Sequence, residues 1–513
     1  MKSSNKMKRR DFLKTSAAAS AGLTFRNAVA RPVSIESEKP HIIYIMTDQH
    51  RGDCLGCMGN KIIKTPNIDS IAKDGVCFTN AYTAAPSCTP ARSGLLTGLS
   101  PWHHGMLGYG RVAEKYKFEL PRLLKQAGYY TFGIGKMHWF PQKHLHGFHG
   151  TLVDESGRTE TPWFVSDYHD WFKLNAPGLD PNATGIGWNE HRAGVYALDE
   201  KLHPTRWTGQ TAVELIENFN LNKPLLLKVS FARPHSPYDP PRRFLEMYSE
   251  EEMPAPSVGK WAEKFADYPM TKNAAFGNFG VAHAKKARRA YYANITFIDE
   301  QVGFILDALK RKGMYDNALI MFTADHGDML GDHNHWRKTY AYEGSAHIPM
   351  LMKWPKALKT KIERGSSLPH PVELRDFLPT FLDAAGENIP EGLDGKSLLT
   401  LVRHQKPDWR EFIDMEHSTC YAKENYWAAL TDGKFKYIYF FPTGEEQLFN
   451  IEKDRGELHE LAAEPAYAGT LKLWRRRMVN HLAERGEAFV KDGKLRIRKE
   501  AMLYGPNYPR IPS

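Results

Sequence analysis

Residues 87–98 read Ser-Cys-Thr-Pro-Ala-Arg-Ser-Gly-Leu-Leu-Thr-Gly. Pro90 suits the first turn of a helix because it has no amide hydrogen to leave unpaired. Cys88 therefore reads at or beside an N-cap, where free backbone amides and the helix dipole favour an anion. A thiol there is either a nucleophile or a small apolar side chain tucked into the helix start. What converges on it decides between the two. Four apolar runs elsewhere end in chemically useful residues: Asp48 and Gln49 close 41–49, Lys136 and His138 close 129–138, His235 closes 224–235, and Asp325 and His326 close 317–328. Singly, each reads as a solvated strand end. Together they offer oxygen-rich ligands for a hard divalent cation and basic groups for an anion and a proton.

Those runs must be positioned by a scaffold. Helical patterns lie between them, over 65–75 with a Thr cap, an early Pro and a glycine stop, over 119–128, and over an amphipathic stretch near 281–312. A further strand is expected at 347–355. Continuous apolar strands alternating with helices predict an α/β fold, a large mixed and mostly parallel sheet between helices. Such sheets bind ligands outside the carboxyl ends of their strands. From about residue 400 the texture changes, with a hairpin pattern at 427–441 around Asp432-Gly433 and a helix near 466–486. This predicts a smaller C-terminal antiparallel α+β subdomain. The expected division is 1–30 export signal, 38–400 catalytic domain and 401–513 C-terminal subdomain.

The chain has 513 residues and an ordinary 42% hydrophobic content, with no uninterrupted apolar span of about 20 residues, so no membrane span is expected. Its start is distinct: the Arg9-Arg10 pair, a small and apolar stretch, then Ala28-Val29-Ala30. This is the pattern of a bacterial twin-arginine export signal, which places the protein in the periplasm or outside the cell. The first 30 residues carry seven Lys/Arg and one Asp, so their removal takes the formal charge from +10 to +4. With no basic run, nucleic acid is not favoured as a partner. Five cysteines leave at least one thiol unpaired or chemically used. Cys54 and Cys57 have the spacing of a redox or zinc half-site, but no second ligand pair accompanies them, so they read as buried or incidental thiols.

Cys88-Thr89-Pro90-Ala91-Arg92 also has the C-x-P-x-R form that maturation enzymes read when they oxidise cysteine to formylglycine. With "GKMH" (135–138), "RPHSPYDPP" (233–241), "TADHGDMLGDH" (323–333) and "KTYAYEG" (338–344), the chain resembles the type I sulfatases of the alkaline-phosphatase-like superfamily over about 38–490. The resemblance implies a sulfuric ester hydrolase in which Cys88 becomes formylglycine. One hydroxyl of the hydrated aldehyde would attack sulfur and displace the alcohol, and the other would expel sulfate. It implies a cation, calcium ahead of magnesium, on Asp48, Gln49, Cys88, Asp325 and His326. Lys136, His138, His235 and Lys338 would surround the sulfate, and Arg92 would hold the formylglycine. His235 would protonate the leaving oxygen, with Lys338 as alternative or helper, and His138 would assist breakdown of the sulfated enzyme. Many relatives carry aspartate where this chain has Gln49 and asparagine where it has His326, which removes a negative charge and adds a nitrogen ligand.

Residues 138–210 hold five of the twelve tryptophans (139, 163, 171, 188 and 207) and seven histidines. Flat aromatics either bind sugar faces or fill a core under a long loop. With the export signal, the first reading gives a sulfated carbohydrate as substrate, desulfated from a chain end of a mono- or short oligosaccharide. Trp163, Trp171 and Trp188 are expected on that wall, with His333, His335 and Trp336 near it. Two other functions share this scaffold: a phosphonate or phosphate ester hydrolase, and a non-catalytic glycan-binding relative.

Overall fold

Every residue of the run 42–48 is buried, and its side chains alternate between two cores. Ile42, Tyr44 and Met46 enter one, and Ile43 and Ile45 enter the other. That is the signature of a strand covered on both faces. In a computed structural model the protein is described over residues 39–510, save 156, 159, 160, 162, 419, 423 and 424. The export signal read over 1–30 lies outside them.

The main sheet contains β1 (His41–Asp48), β2 (Val76–Tyr82), β3 (Tyr130–Gly135), β4 (Gly150–Val153), β5 (Leu225–Pro234), β6 (Ala318–Ala324), β7 (Met350–Lys353) and β8 (Ser366–Glu373), in the order β4-β3-β5-β1-β6-β7-β2-β8. The β4-β3-β5-β1-β6 portion is parallel throughout, and β7 runs antiparallel to both of its neighbours. The sheet is mixed and mostly parallel, as expected. The four strands read as carrying the chemistry are adjacent, so their carboxyl ends form one continuous edge.

Helices cover both faces. The 31-residue helix Val281–Arg311 packs Ile298, Val302, Ile305 and Leu309 into the core that receives Ile43. That spacing keeps one apolar stripe on the sheet. On the other face lie Ala91, Leu95 and Leu96 of the helix Cys88–Thr97, with Phe377 and Phe381 against Tyr44. The second sheet is β9 (Ile413–His417), β10 (Trp427–Thr431), β11 (Phe435–Phe440) and β12 (Glu446–Asn450), antiparallel in the order β12-β11-β10-β9. Thr431 pairs with Lys436 across the Asp432-Gly433 turn. The helix Ala468–Leu482 follows, burying Trp474, Met478 and Leu482.

Some expected elements are shorter. β3 ends at Gly135 and leaves Lys136 and His138 in the following loop, while the strand expected at 347–355 narrows to β7. No helix among the described residues is long and apolar enough to cross a membrane.

Candidate active site

Cys88 is the first residue of its helix, after Ser87 in extended conformation (φ −157°, ψ 143°). The helix start thus aims the thiol at the sheet edge. Cys88 Sγ lies 3.1 Å from His326 Nε2, 3.4 Å from Lys338 Nζ and 3.8 Å from Asp48 Oδ1. Burial and Asp48 push this thiol up, yet Lys338, Lys136 and His326 hold it well below the ordinary cysteine range. One turn on, Arg92 ties the edge together: Nε donates to Asp325 Oδ2 at 2.9 Å and an Nη to Asp48 Oδ2 at 3.2 Å. Its other Nη donates to the Lys136 carbonyl at 2.7 Å and to Ser230 Oγ at 3.0 Å.

Asp48, Cys88, Asp325 and His326 each offer a ligand atom within 4.8 Å of the others, and all four are buried. Among the described residues no other group of His, Cys, Asp or Glu is so arranged, which leaves Cys54 and Cys57 as free thiols without a metal cluster. Asp48 feels burial, but Lys136, His235, Lys338 and Arg92 keep it ionised well below the usual carboxylate range. Burial and the nearby Asp48 raise Asp325. Two carboxylates and an imidazole at this separation suit a divalent cation, whose charge would relieve the Asp48–Asp325 repulsion.

Lys136 and Lys338 reach the Asp48–Gln49 pair. Lys136 Nζ is 2.5 Å from Asp48 Oδ2, and Lys338 Nζ donates to Gln49 Oε1 at 2.8 Å. His235 is anchored by its backbone amide to the Asp48 carbonyl at 3.0 Å. Its Nδ1 donates to the Ser236 carbonyl at 2.8 Å, which leaves Nε2 for the substrate. Burial, then Lys338, lowers its pKa well below the usual imidazole range. His138 hydrogen-bonds Tyr109 Oη through Nε2 at 3.3 Å, and its Nδ1 has no partner among the described residues. Gln49 (φ 66°), His138 (φ 62°) and Thr339 (φ 84°) all hold left-handed backbone, costly for residues with a Cβ and characteristic of sites that must aim side chains.

Two residues, Asp328 and Glu155, were not singled out from the sequence. Asp328 accepts Gln49 Nε2 and Tyr238 Oη at 2.5 Å each. Glu155 Oε1 takes the amides of Met137 (2.9 Å) and His138 (2.6 Å), which pins the turn that carries Lys136. Asp328 stood among four acidic and imidazole residues of one motif, and nothing in its spacing distinguished it.

The tryptophan expectation needs correction. Trp139 and Trp207 are core, and Trp171 packs on Tyr168 in a satellite cluster. Trp163 is 82% exposed. Only Trp188 meets the site, stacked on His235 with ring centroids 4.6 Å apart and with Lys136 Nζ 5.1 Å from its ring. A long insert must bury most of its own rings to be stable: three of the five went to packing, and Trp163 faces solvent. Trp336 packs against His191 and Phe279.

Comparison with known proteins gives the same picture. Residues 40–387 match the family described as Sulfatase, and 331–484 match N-sulphoglucosamine sulphohydrolase, C-terminal. Residues 6–25 match a twin-arginine translocation signal sequence, which marks the chain for export. An arylsulfatase of Clostridium perfringens is 38% identical over 89% of this chain and 97% of its own. A choline-sulfatase of Rhizobium meliloti is 33% identical over 92% and 93%. The solved phosphonate monoester hydrolase of Agrobacterium radiobacter shares the fold, with a TM-score of 0.74 at 24% identity over 87% of this chain and 96% of that one.

Proposed function

This chain belongs to the sulfatase family and is a sulfuric ester hydrolase; from that premise we propose that it removes sulfate from sulfated carbohydrates, with Cys88, matured to formylglycine, as nucleophile. The observation that carries this is the setting of Cys88 Sγ, at a helix start, with Lys338 Nζ at 3.4 Å and the Asp48, Asp325 and His326 donor atoms within 4.8 Å. The partner that this assigns is a formylglycine-generating maturation enzyme.

Asp48, Gln49, Cys88, Asp325 and His326 are the residues to hold the cation, with calcium favoured by the oxygen donors. When bound, that ion polarises a sulfate oxygen and helps ionise the nucleophile. The rest falls to the chain. Arg92 keeps the two carboxylates aligned by bridging them. Lys136 and Lys338 set fixed positive charge beside the reacting sulfur, where charge moves toward the leaving oxygen. His235, with Nδ1 occupied, presents Nε2 as the group that protonates that oxygen, and Lys338 stands beside it. His138, next to Tyr109, serves the second step, release of sulfate.

The carbohydrate assignment is supported by Trp188 standing over His235 and by the match to the N-sulphoglucosamine sulphohydrolase C-terminal family. Action at a chain end fits a site whose catalytic side chains are all nearly inaccessible. The export signal puts this work in the periplasm or outside the cell. The test is a screen of defined sulfated saccharides with matured protein, reading released sulfate beside a matched phosphonate ester. Sulfate release from saccharides is expected. Faster turnover of the phosphonate, or none of either with fully matured Cys88, would overturn the reading.

A further inference from the structure

A second cavity, of about 240 Å³, opens between residues 264–276, the stretch 335–342 and strands β10–β12. Its walls combine two kinds of group. Aromatic rings supply flat apolar faces, among them Phe265, Tyr340 and the half-exposed Tyr268. Two almost fully buried polar side chains also line it: His335, 2% exposed, and Gln447, 3% exposed.

Both polar side chains have one end committed and the other free. His335 Nδ1 bonds the His333 carbonyl at 2.6 Å, so Nδ1 carries the proton and Nε2 is a lone-pair acceptor. Burial pushes this imidazole down to about 3, so it stays neutral. Gln447 Oε1 accepts from Tyr342 Oη at 3.0 Å, which leaves its Nε2 amide as a donor. Neither free nitrogen has a partner among the described residues. Both nitrogens face the cavity, where water meets them when nothing else is bound, and a ligand that offers both a donor and an acceptor replaces that water without loss.

We propose that this cavity binds a neutral sugar ring, whose hydroxyls satisfy His335 and Gln447 while its C–H face lies on the aromatic wall. An anion finds no spare charge here, because Lys264 at the mouth is paired with Glu445 at 3.5 Å. A purely apolar ligand would leave both nitrogens unmatched. Tyr340 in its wall follows Lys338 of the sulfate-handling centre by two residues in the chain. The inference goes beyond the proposed function and shares with it only the carbohydrate class.

The test uses the full chain carrying Cys88→Ala, with cellobiose, lactose and N,N′-diacetylchitobiose as unsulfated probes in saturation-transfer NMR and titration. Binding of at least one is expected, with affinity reduced about five-fold by Tyr268→Ala through loss of one ring contact. Gln447→Glu keeps an acceptor for Tyr342 Oη but removes the amide donor, and should reduce it comparably. With Cys88 intact, Tyr268→Ala should turn over a small aryl sulfate at the parent rate. No transfer from any of the three sugars, or equal binding in both variants, would overturn the proposal. Failure of sulfate release from every saccharide would instead overturn the proposed function and leave this binding in place.

Discussion

Asp328 Oδ2 lies 2.5 Å from Gln49 Nε2, and this contact decides which end of the Gln49 amide faces the reacting groups. A carboxylate only accepts, so the amide nitrogen must point at Asp328 and the oxygen at Lys338. Tyr238 Oη shares the same oxygen, and the amides of Leu330 and Arg337 hold Oδ1 at 3.0 Å each. A neutral glutamine would thereby present its oxygen to the proposed cation. Asp328→Asn lets the amide turn over and should weaken cation affinity about ten-fold, the usual cost of losing a residue that orients a ligand. Chelator competition measures this without turnover, and unchanged affinity would refute the orientation argument.

Cys88→Ala should abolish turnover while the protein melts as before, because the side chain sits at the sheet edge beside other polar groups. Peptide mass spectrometry of protein made beside a maturation enzyme should show the aldehyde in place of the thiol. Activity equal to the parent in the alanine variant would end the nucleophile assignment.

Chelation should lower both turnover and melting temperature, since the proposed cation would offset the repulsion between Asp48 and Asp325. Calcium should restore both better than zinc, because four of the five ligands are hard oxygens once Cys88 is oxidised. Elemental analysis showing a metal-free preparation with full turnover would refute the ligand set.

His235→Ala should slow esters of poor leaving groups, such as sugar alcohols, far more than esters of acidic phenols, which leave without a proton. A general acid contributes on the order of 10²–10⁴-fold. The same loss on both ester classes would assign His235 to sulfate binding, with Lys338 as the donor.

Trp188→Ala should raise KM several-fold for a sugar sulfate and less for a small aryl sulfate, consistent with about 1 kcal/mol for one stacked ring. Trp163→Ala should change neither. Trp171→Ala should instead lower the melting temperature, because that ring packs on Tyr168.

The strands that carry the chemistry were legible because burial on both faces leaves them uniformly apolar. Others were not. β8 contains Pro369 and Pro371 and reads as a loop, yet it is an edge strand, where a missing amide can be tolerated. β2 carries Thr79 and Asn80 amid its apolar residues, and β4 is four residues long. The reversal of β7 was hidden because direction leaves no mark on composition. At the site, residue type and strand-end position revealed Asp48, Asp325 and His326, whereas Lys338 emerged only through resemblance. Asp328 and Glu155 stayed hidden because orienting another side chain demands no particular spacing. For the tryptophans, a ring that fills a core and one that faces a ligand have the same sequence.

Cys88 is 1% exposed, closed in by the very groups that would use it. Any enzyme that rewrites this side chain must therefore reach it before the chain closes around it. The proposed conversion of Cys88 would then have a deadline, set by the time the nascent chain takes to fold. A molecule that misses it stays a thiol for its lifetime, and adding the maturation enzyme to finished protein should rescue nothing unless the chain is first unfolded.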